Sequence, residues 1–144
     1  MVQELTEAAI NEFATAWYEA LDRHDDIDDV YGGFIDERLV LNLPEGTFTG
    51  ESGFRAWYDA VTLRFFDETH TLREVKPISL TPTEAELTVV VNWQFTMHDG
   101  RDAKSAWGGF DAYQTWTVVA GENGPRIKVY TANKLDPMPG SASL

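Results

Sequence analysis

Ile10, Phe13, Ala14, Trp17, Ala20 and Leu21 recur at steps of three and four. That period puts them on one face of a helix, which Thr6 opens as N-cap and which runs to about Arg23. Asp25, Asp26, Asp28 and Asp29, set around Ile27 and Val30, predict a break and a second short helix ending at Gly32-Gly33. Residues 37–43 read as a strand stopped by Pro44, and Thr47-Phe48-Thr49 as a short strand between Gly46 and Gly50. Helical spacing returns over 51–66 through Phe54, Trp57, Tyr58, Val61 and Phe65, with Ser52 or Glu51 as the cap.

After Asp67 the period changes to two. Residues 70–80 form one predicted strand, kinked at Pro77. Over 86–98, Leu87, Val89, Val91, Trp93, Phe95 and Met97 alternate with Thr88, Val90, Asn92, Gln94 and Thr96. A turn at His98-Asp99-Gly100-Arg101 leads into a strand over 105–120, where Gly108-Gly109 is expected to mark a bulge or bend. A second turn over 121–125 precedes a last strand over 126–135. The pattern predicts one domain, 1–136, followed by a flexible tail, 137–144.

Helices first and long antiparallel strands afterwards define the α+β class. Three helices cannot cover both faces of strands this long. The expected solution is a cone-shaped, curved antiparallel sheet packed on three helices from the N-terminal half, with a hydrophobic pocket at the open end of the curl. The face assigned to Phe110 and Trp116 then needs cover, and a second copy of the chain is the simplest cover, giving a homodimer through the outer sheet face.

Composition narrows the partners. Hydrophobic residues make up 43% of the chain and aromatic residues 12%, enough for a core in 144 residues. A net charge of −13 repels phosphates and anionic lipid, so neither nucleic acid nor membrane is an expected partner. The absence of cysteine removes disulfides, thiol nucleophiles and thiolate metal sites. The first residues lack a basic segment followed by an apolar one, and no apolar run of about 18 residues occurs, which leaves a cytoplasmic address as the default.

The candidate chemistry is sparse. Gly108-Gly109 lies in strand material and opens no helix, so it is no phosphate loop. The run His24-Asp25-Asp26-Ile27-Asp28-Asp29 lacks the oxygen spacing of a calcium loop and reads as a solvated acidic segment. Neither a metal nor a cofactor is expected. His70 is the leading acid/base candidate, because imidazole titrates near neutrality; its plain alternative is a strand-end histidine bonded to backbone or water. Asp111 and Tyr113 share a strand face with Trp107 and Thr115, opposite Phe110, Ala112, Gln114 and Trp116. Both faces are half apolar, and the Asp111/Tyr113 face is taken to line the pocket. Trp17, Trp57, Trp93 and Phe95 are assigned to the pocket lining or the adjoining core, as surfaces for a small hydrophobic molecule.

The element order, with Pro44-Glu45-Gly46 after the first strand and Thr47-Phe48-Thr49-Gly50-Glu51-Ser52-Gly53-Phe54-Arg55-Ala56-Trp57-Tyr58 opening the third helix, resembles the nuclear transport factor 2-like superfamily and its SnoaL-like branch. The resemblance spans roughly Leu5 to Leu135. It implies a cofactor-independent lyase, isomerase or hydrolase acting on a small apolar polycyclic or polyketide-like molecule. A non-catalytic binding dimer, or a small subunit of a larger oxygenase, is the alternative it leaves open. The ketosteroid isomerases of the superfamily carry a tyrosine and two aspartates where this chain has Trp17, Leu43 and, nearby, Thr115. Leu43 cannot accept a proton, so that chemistry is not expected. The scytalone dehydratases pair an aspartate and a histidine at positions matching Asp22 and His70, and the resemblance makes Asp22 the group that orients His70. Their second histidine falls on Phe95, with His98 three residues too late. Asp22 has its own plain alternative, a solvated residue at a helix end.

Overall fold

The structure, a computed structural model, describes residues 2–98 and 104–144. Helix α1 (Glu7–Arg23) begins at Thr6, whose side-chain oxygen accepts from the Ala9 N–H at 3.1 Å. It buries Ile10, Phe13, Ala14, Trp17, Tyr18, Ala20 and Leu21, the face the sequence period marks. Helix α2 (Ile27–Phe34) is capped by the Asp26 side chain and continues through Gly32-Gly33 to Phe34. Strand β1 (Ile35–Leu43) and short β2 (Gly46–Thr49) form a hairpin across Pro44-Glu45, and α3 (Gly50–Arg64) follows at once. Its N-cap is Thr49, two residues before the expected Glu51 and three before Ser52, with Gly50 supplying a left-handed φ of 65° at the strand-to-helix corner.

Four long strands complete the fold: β3 (Phe65–Leu80), β4 (Glu84–His98), β5 (Ser105–Gly121) and β6 (Gly124–Pro137). The order across the sheet is β2-β1-β6-β5-β4-β3. The sheet is mixed rather than wholly antiparallel, because β1 runs parallel to β6. It is curved and unclosed around the three helices. Register shifts along β3/β4 at Phe66/Thr69, Leu72/Glu74 and Pro77/Ser79, and along β5/β6 at Tyr113/Gln114 and Thr117/Val118, supply the bends such curvature requires. The expected kink at Pro77 is one of these.

The expected bulge at Gly108-Gly109 is not there. The β4/β5 register runs unbroken through Gln94 opposite Gly109 and Phe95 opposite Gly108. The glycines serve close approach instead: a Cβ on Gly108 would sit 2.3 Å from the tip of the Phe95 ring, and one on Gly109 would meet Met138 Sδ at 2.7 Å. The turn expected at His98-Asp99-Gly100-Arg101 lies partly outside the described residues.

The two faces of β5 are the reverse of the assignment made from sequence. Phe110, Ala112, Gln114, Trp116 and Val118 point inward and are buried, whereas Tyr113 and Trp107 are exposed on the outside. Phe110 and Trp116 therefore need no cover from a second chain. The main core gathers the apolar faces of α1 and the strands around Trp17, Trp116, Leu87 and Ile127, and a smaller cluster joins Phe65, Phe95, Met97 and Phe110. The segment after β6 lies along the start of β5. Met138 N–H donates to Gly109 O (2.9 Å), Ala142 N–H to Trp107 O (3.0 Å), and Gly109 N–H to Ser141 Oγ (2.9 Å).

Candidate functional site

A cavity of about 350 Å³ opens between α1, α3 and the inner face of the sheet. Its walls are mostly apolar, with Leu21, Trp57, Val61, Trp93, Val91 and Leu135 among them. Polar groups of its wall include Glu68, His70, Gln114 and Tyr130, with Tyr18 and Asp22 standing behind them, and they converge for local reasons.

Tyr18 and Asp22 stand four residues apart on α1 and so share one helix face. Glu68 and His70 stand two apart on β3 and so share one sheet face. His70 Nδ1 lies 2.6 Å from Asp22 Oδ1, and the His70 backbone N–H donates to Asp22 Oδ2 at 3.0 Å. An ionised carboxylate only accepts, so the ring proton sits on Nδ1 and Nε2 is left as an acceptor. His70 is part of the cavity wall, and among the described residues Nε2 makes no hydrogen bond. The ring is stacked against Tyr18 (centroids 4.8 Å, 25°) and against Trp93 (5.9 Å, 9°), its partner across the β3/β4 ladder.

A second histidine–carboxylate pair runs alongside. His24 Nε2 pairs with Glu68 Oε2, and Trp93 Nε1–H donates to Glu68 Oε1 at 3.0 Å. Glu68 lines the cavity with its side chain 8% exposed, while His24 is partly exposed at the surface. His24 (φ 52°) and Asp67 (φ 49°) are the described non-glycine residues with left-handed backbone, and they flank this site at the end of α1 and the start of β3. Such strain persists where the surroundings fix it. At His24 the left-handed turn ends the helix, and its backbone N–H closes on the Ala20 and Leu21 carbonyls.

On the opposite side, Gln114 Oε1 accepts from Tyr18 O–H (2.6 Å) and from Trp116 Nε1–H (3.0 Å). Tyr130 O lies 3.3 Å from Tyr18 O. Burial pushes the Tyr18 phenol well above its ordinary value and Tyr130 up to about 12, so both stay protonated and uncharged. Tyr58 is likewise raised to about 12, first by burial and then by the Asp25 charge, and its O–H donates to Asp25 O at 2.5 Å. Glu45 and Arg64 also line the cavity.

Of the residues singled out from sequence, His70 and Asp22 come together, and Trp57 and Trp93 line the cavity. Trp17 (0% exposed) and Phe95 (1%) stand behind it: Trp17 stacks on Trp57 at 6.4 Å, and Phe95 packs on Trp93 at 4.2 Å. Asp111 and Tyr113 do not reach it. They lie on the outer face, where Asp111 accepts from Asn92 Nδ2 at 2.9 Å and faces Arg73 at 3.6 Å, a correction that follows from the reversed parity of β5. Sequence reasoning passed over Glu68, Gln114 and Tyr18. The spacing from His70 pointed to Glu68, and the spacing from Asp22 pointed to Tyr18. His24, read as part of a solvated acidic loop, is held by Glu68 instead. No group of three or more His, Asp or Glu side chains fit to hold a metal ion comes together among the described residues, and no described helix is long and apolar enough to cross a membrane.

This arrangement of three helices inside a curved, unclosed sheet is the nuclear transport factor 2-like, or cystatin-like, α+β fold. Among solved structures, the chain is similar to a protein from Novosphingobium aromaticivorans proposed to be an aromatic ring hydroxylase (TM-score 0.78, 21% identity, 91% of this chain and 92% of that one). It is also similar to a proposed scytalone dehydratase from the same organism (TM-score 0.76, 16% identity, 95% and 88%). A third is the hexachlorocyclohexane dehydrochlorinase LinA-type3 of Novosphingobium barchaimii (TM-score 0.73, 13% identity, 95% and 92%). No protein-family model matches the chain, and no curated protein does. At these identities the likeness establishes the fold, and the chemistry has to be argued from the site.

Proposed function

We propose that the protein is a SnoaL-like, cofactor-independent enzyme in which His70 acts as general base on a small apolar molecule held in the cavity, with elimination as the favoured reaction. The observation that carries this is the Asp22–His70 pair, with Nδ1 fixed by the carboxylate and the other ring nitrogen left for a ligand at the wall of an apolar hollow. Nε2 takes a proton from carbon. The C–H electron pair becomes the new carbon–carbon double bond, and the neighbouring leaving group departs with its own bonding pair. Asp22 stabilises the imidazolium so formed, and the Tyr18 and Trp93 rings hold it in plane. Two structural neighbours named for loss of water and loss of hydrogen chloride lend support, since an elimination of either kind removes a proton from the substrate.

The test uses a panel of small halogenated cycloalkanes and β-hydroxy aryl ketones in D2O, followed by mass spectrometry. Wild-type protein is expected to eliminate from, or exchange deuterium into, at least one of them, and His70→Gln to lower that rate by about 10²-fold or more. Equal rates in the two proteins end the assignment. The rival reading, a binding protein without turnover, draws on Phe95, which stands in the packed core where the dehydratase pattern has a second histidine.

Pairing of two copies through the outer sheet face belongs to the same proposal. Its support is the exposure there of Trp107 and Tyr113, each 40% accessible. Sedimentation equilibrium is expected to give twice the 16.2 kDa chain mass, and a monomer mass at micromolar concentration removes the pairing.

A further inference from the structure

Gln114 is 7% exposed, yet it belongs to the cavity wall. Its orientation is decided by its neighbours. An indole N–H can only donate, so the atom 3.0 Å from Trp116 Nε1 must be the carboxamide oxygen, and the protonated Tyr18 hydroxyl donates to that same oxygen at 2.6 Å. With Oε1 held twice, the amide cannot flip without losing both bonds. Its NH2 group is thereby turned away from the Tyr18–Trp116 side. Tyr130 O is the protein group that the carboxamide approaches, close enough for Gln114 to draw the Tyr130 phenol back down against the effect of burial, while the defined side-chain hydrogen bonds of Gln114 among the described residues both fall on Oε1.

The space beside it is kept open. Ala112, two residues earlier on the same face of β5, and Ala132, opposite Gln114 on β6, both line the cavity and both stop at Cβ. The β5/β6 register shift at Tyr113/Gln114 falls at this point and brings Ala132 opposite Gln114. An amide N–H held in one orientation at the wall of an apolar cavity is a ready donor for a ligand acceptor, and a ligand without one would forgo that bond. The cavity wall carries two carboxylates, Glu45 and Glu68, against one guanidinium, Arg64, a balance that disfavours an anionic ligand.

We propose that Gln114 is the anchor of the cavity, its NH2 group donating to a neutral acceptor, a carbonyl oxygen, on an otherwise apolar ligand. This names the ligand class of the site and rests on the cavity being a ligand site, not on turnover. Tyr18 links the two ends: its ring packs on His70 while its hydroxyl fixes Gln114. Tyr18 thereby ties the orientation of the carboxamide to the position of the His70 ring.

The experiment compares two probes of matched size, 2-acetylnaphthalene and 2-ethylnaphthalene, by titration against tryptophan fluorescence, since Trp57 and Trp93 line the cavity. Gln114→Glu keeps an acceptor for Tyr18 and Trp116 while removing the donor, and Gln114→Met removes both. Each variant is expected to weaken the ketone by about tenfold, the worth of one buried hydrogen bond, and to change the hydrocarbon by no more than about two- to threefold. An equal effect on both probes, no effect on either, or a wild-type protein that binds neither overturns the proposal. Because binding is the readout, His70→Gln should retain the ketone-selective loss when combined with Gln114→Glu. The anchor and the general base thus fail separately.

Discussion

Asp22→Asn is expected to lower kcat by about 10²- to 10⁴-fold on any compound the wild-type protein turns over, with KM within a few-fold. The asparagine oxygen can still accept from the His70 backbone N–H, which Asp22 Oδ2 does at 3.0 Å, so the strand start need not move. What is lost is the negative charge 2.6 Å from Nδ1. The amide NH2 then faces Nδ1 and donates to it, which moves the ring proton to Nε2 and takes away the base, and an imidazolium would have no counter-charge at Nδ1. Steady-state kinetics, with circular dichroism to confirm the fold, separates this from unfolding. A kcat equal to wild type would mean that the pair is only a tie between α1 and β3.

Trp17→Ala should destabilise the protein by about 3–5 kcal/mol, the largest stability loss anticipated for a single aromatic truncation here. Trp17 is wholly buried and packs on Phe34 (5.6 Å), Trp57 (6.4 Å) and Tyr130 (6.2 Å). Its Nε1 is buried without a hydrogen-bond partner among the described residues, so the truncation removes an unsatisfied donor and places the loss toward the lower end of that range. Urea denaturation measures it. A loss under about 1 kcal/mol would show that the core around α1 is far less tightly packed than its contacts imply. Because Trp57 and Tyr130 also line the cavity, the vacated space adjoins it, and the variant should accept bulkier probes than the wild-type protein.

How much the sequence disclosed depends on how local the determining contacts are. The face of α1 is set by steps of three and four along one segment, and the alternation over β4 by steps of two; both were legible. So was the order of elements, and with it the α+β class. The parallel pairing of β1 with β6 joins residues about ninety positions apart, such as Leu41 and Tyr130, and no local pattern carries it. The parity of β5 was misread for a specific reason. Gln114 looks like a solvent-facing residue until Tyr18 and Trp116 are seen to satisfy its oxygen, and the two glycines look like a bulge until Phe95 is seen above one of them. His70 could be nominated from imidazole chemistry alone. That Asp22 meets it, that Trp93 and Tyr18 stack against it, and that Glu68 holds His24 beside it are consequences of how α1 docks on β3.

The rigid phenol of Tyr18, wedged between the imidazole and the carboxamide, acts as a caliper. If His70 is the base and Gln114 the anchor, it would limit how many bonds can separate the carbon that gives up its proton from the oxygen that is held. Molecules of the right polarity but the wrong span would enter, be gripped at one end and leave unchanged. Selectivity in this hollow would then be a matter of length, ruled by a side chain that itself takes no part in bond breaking.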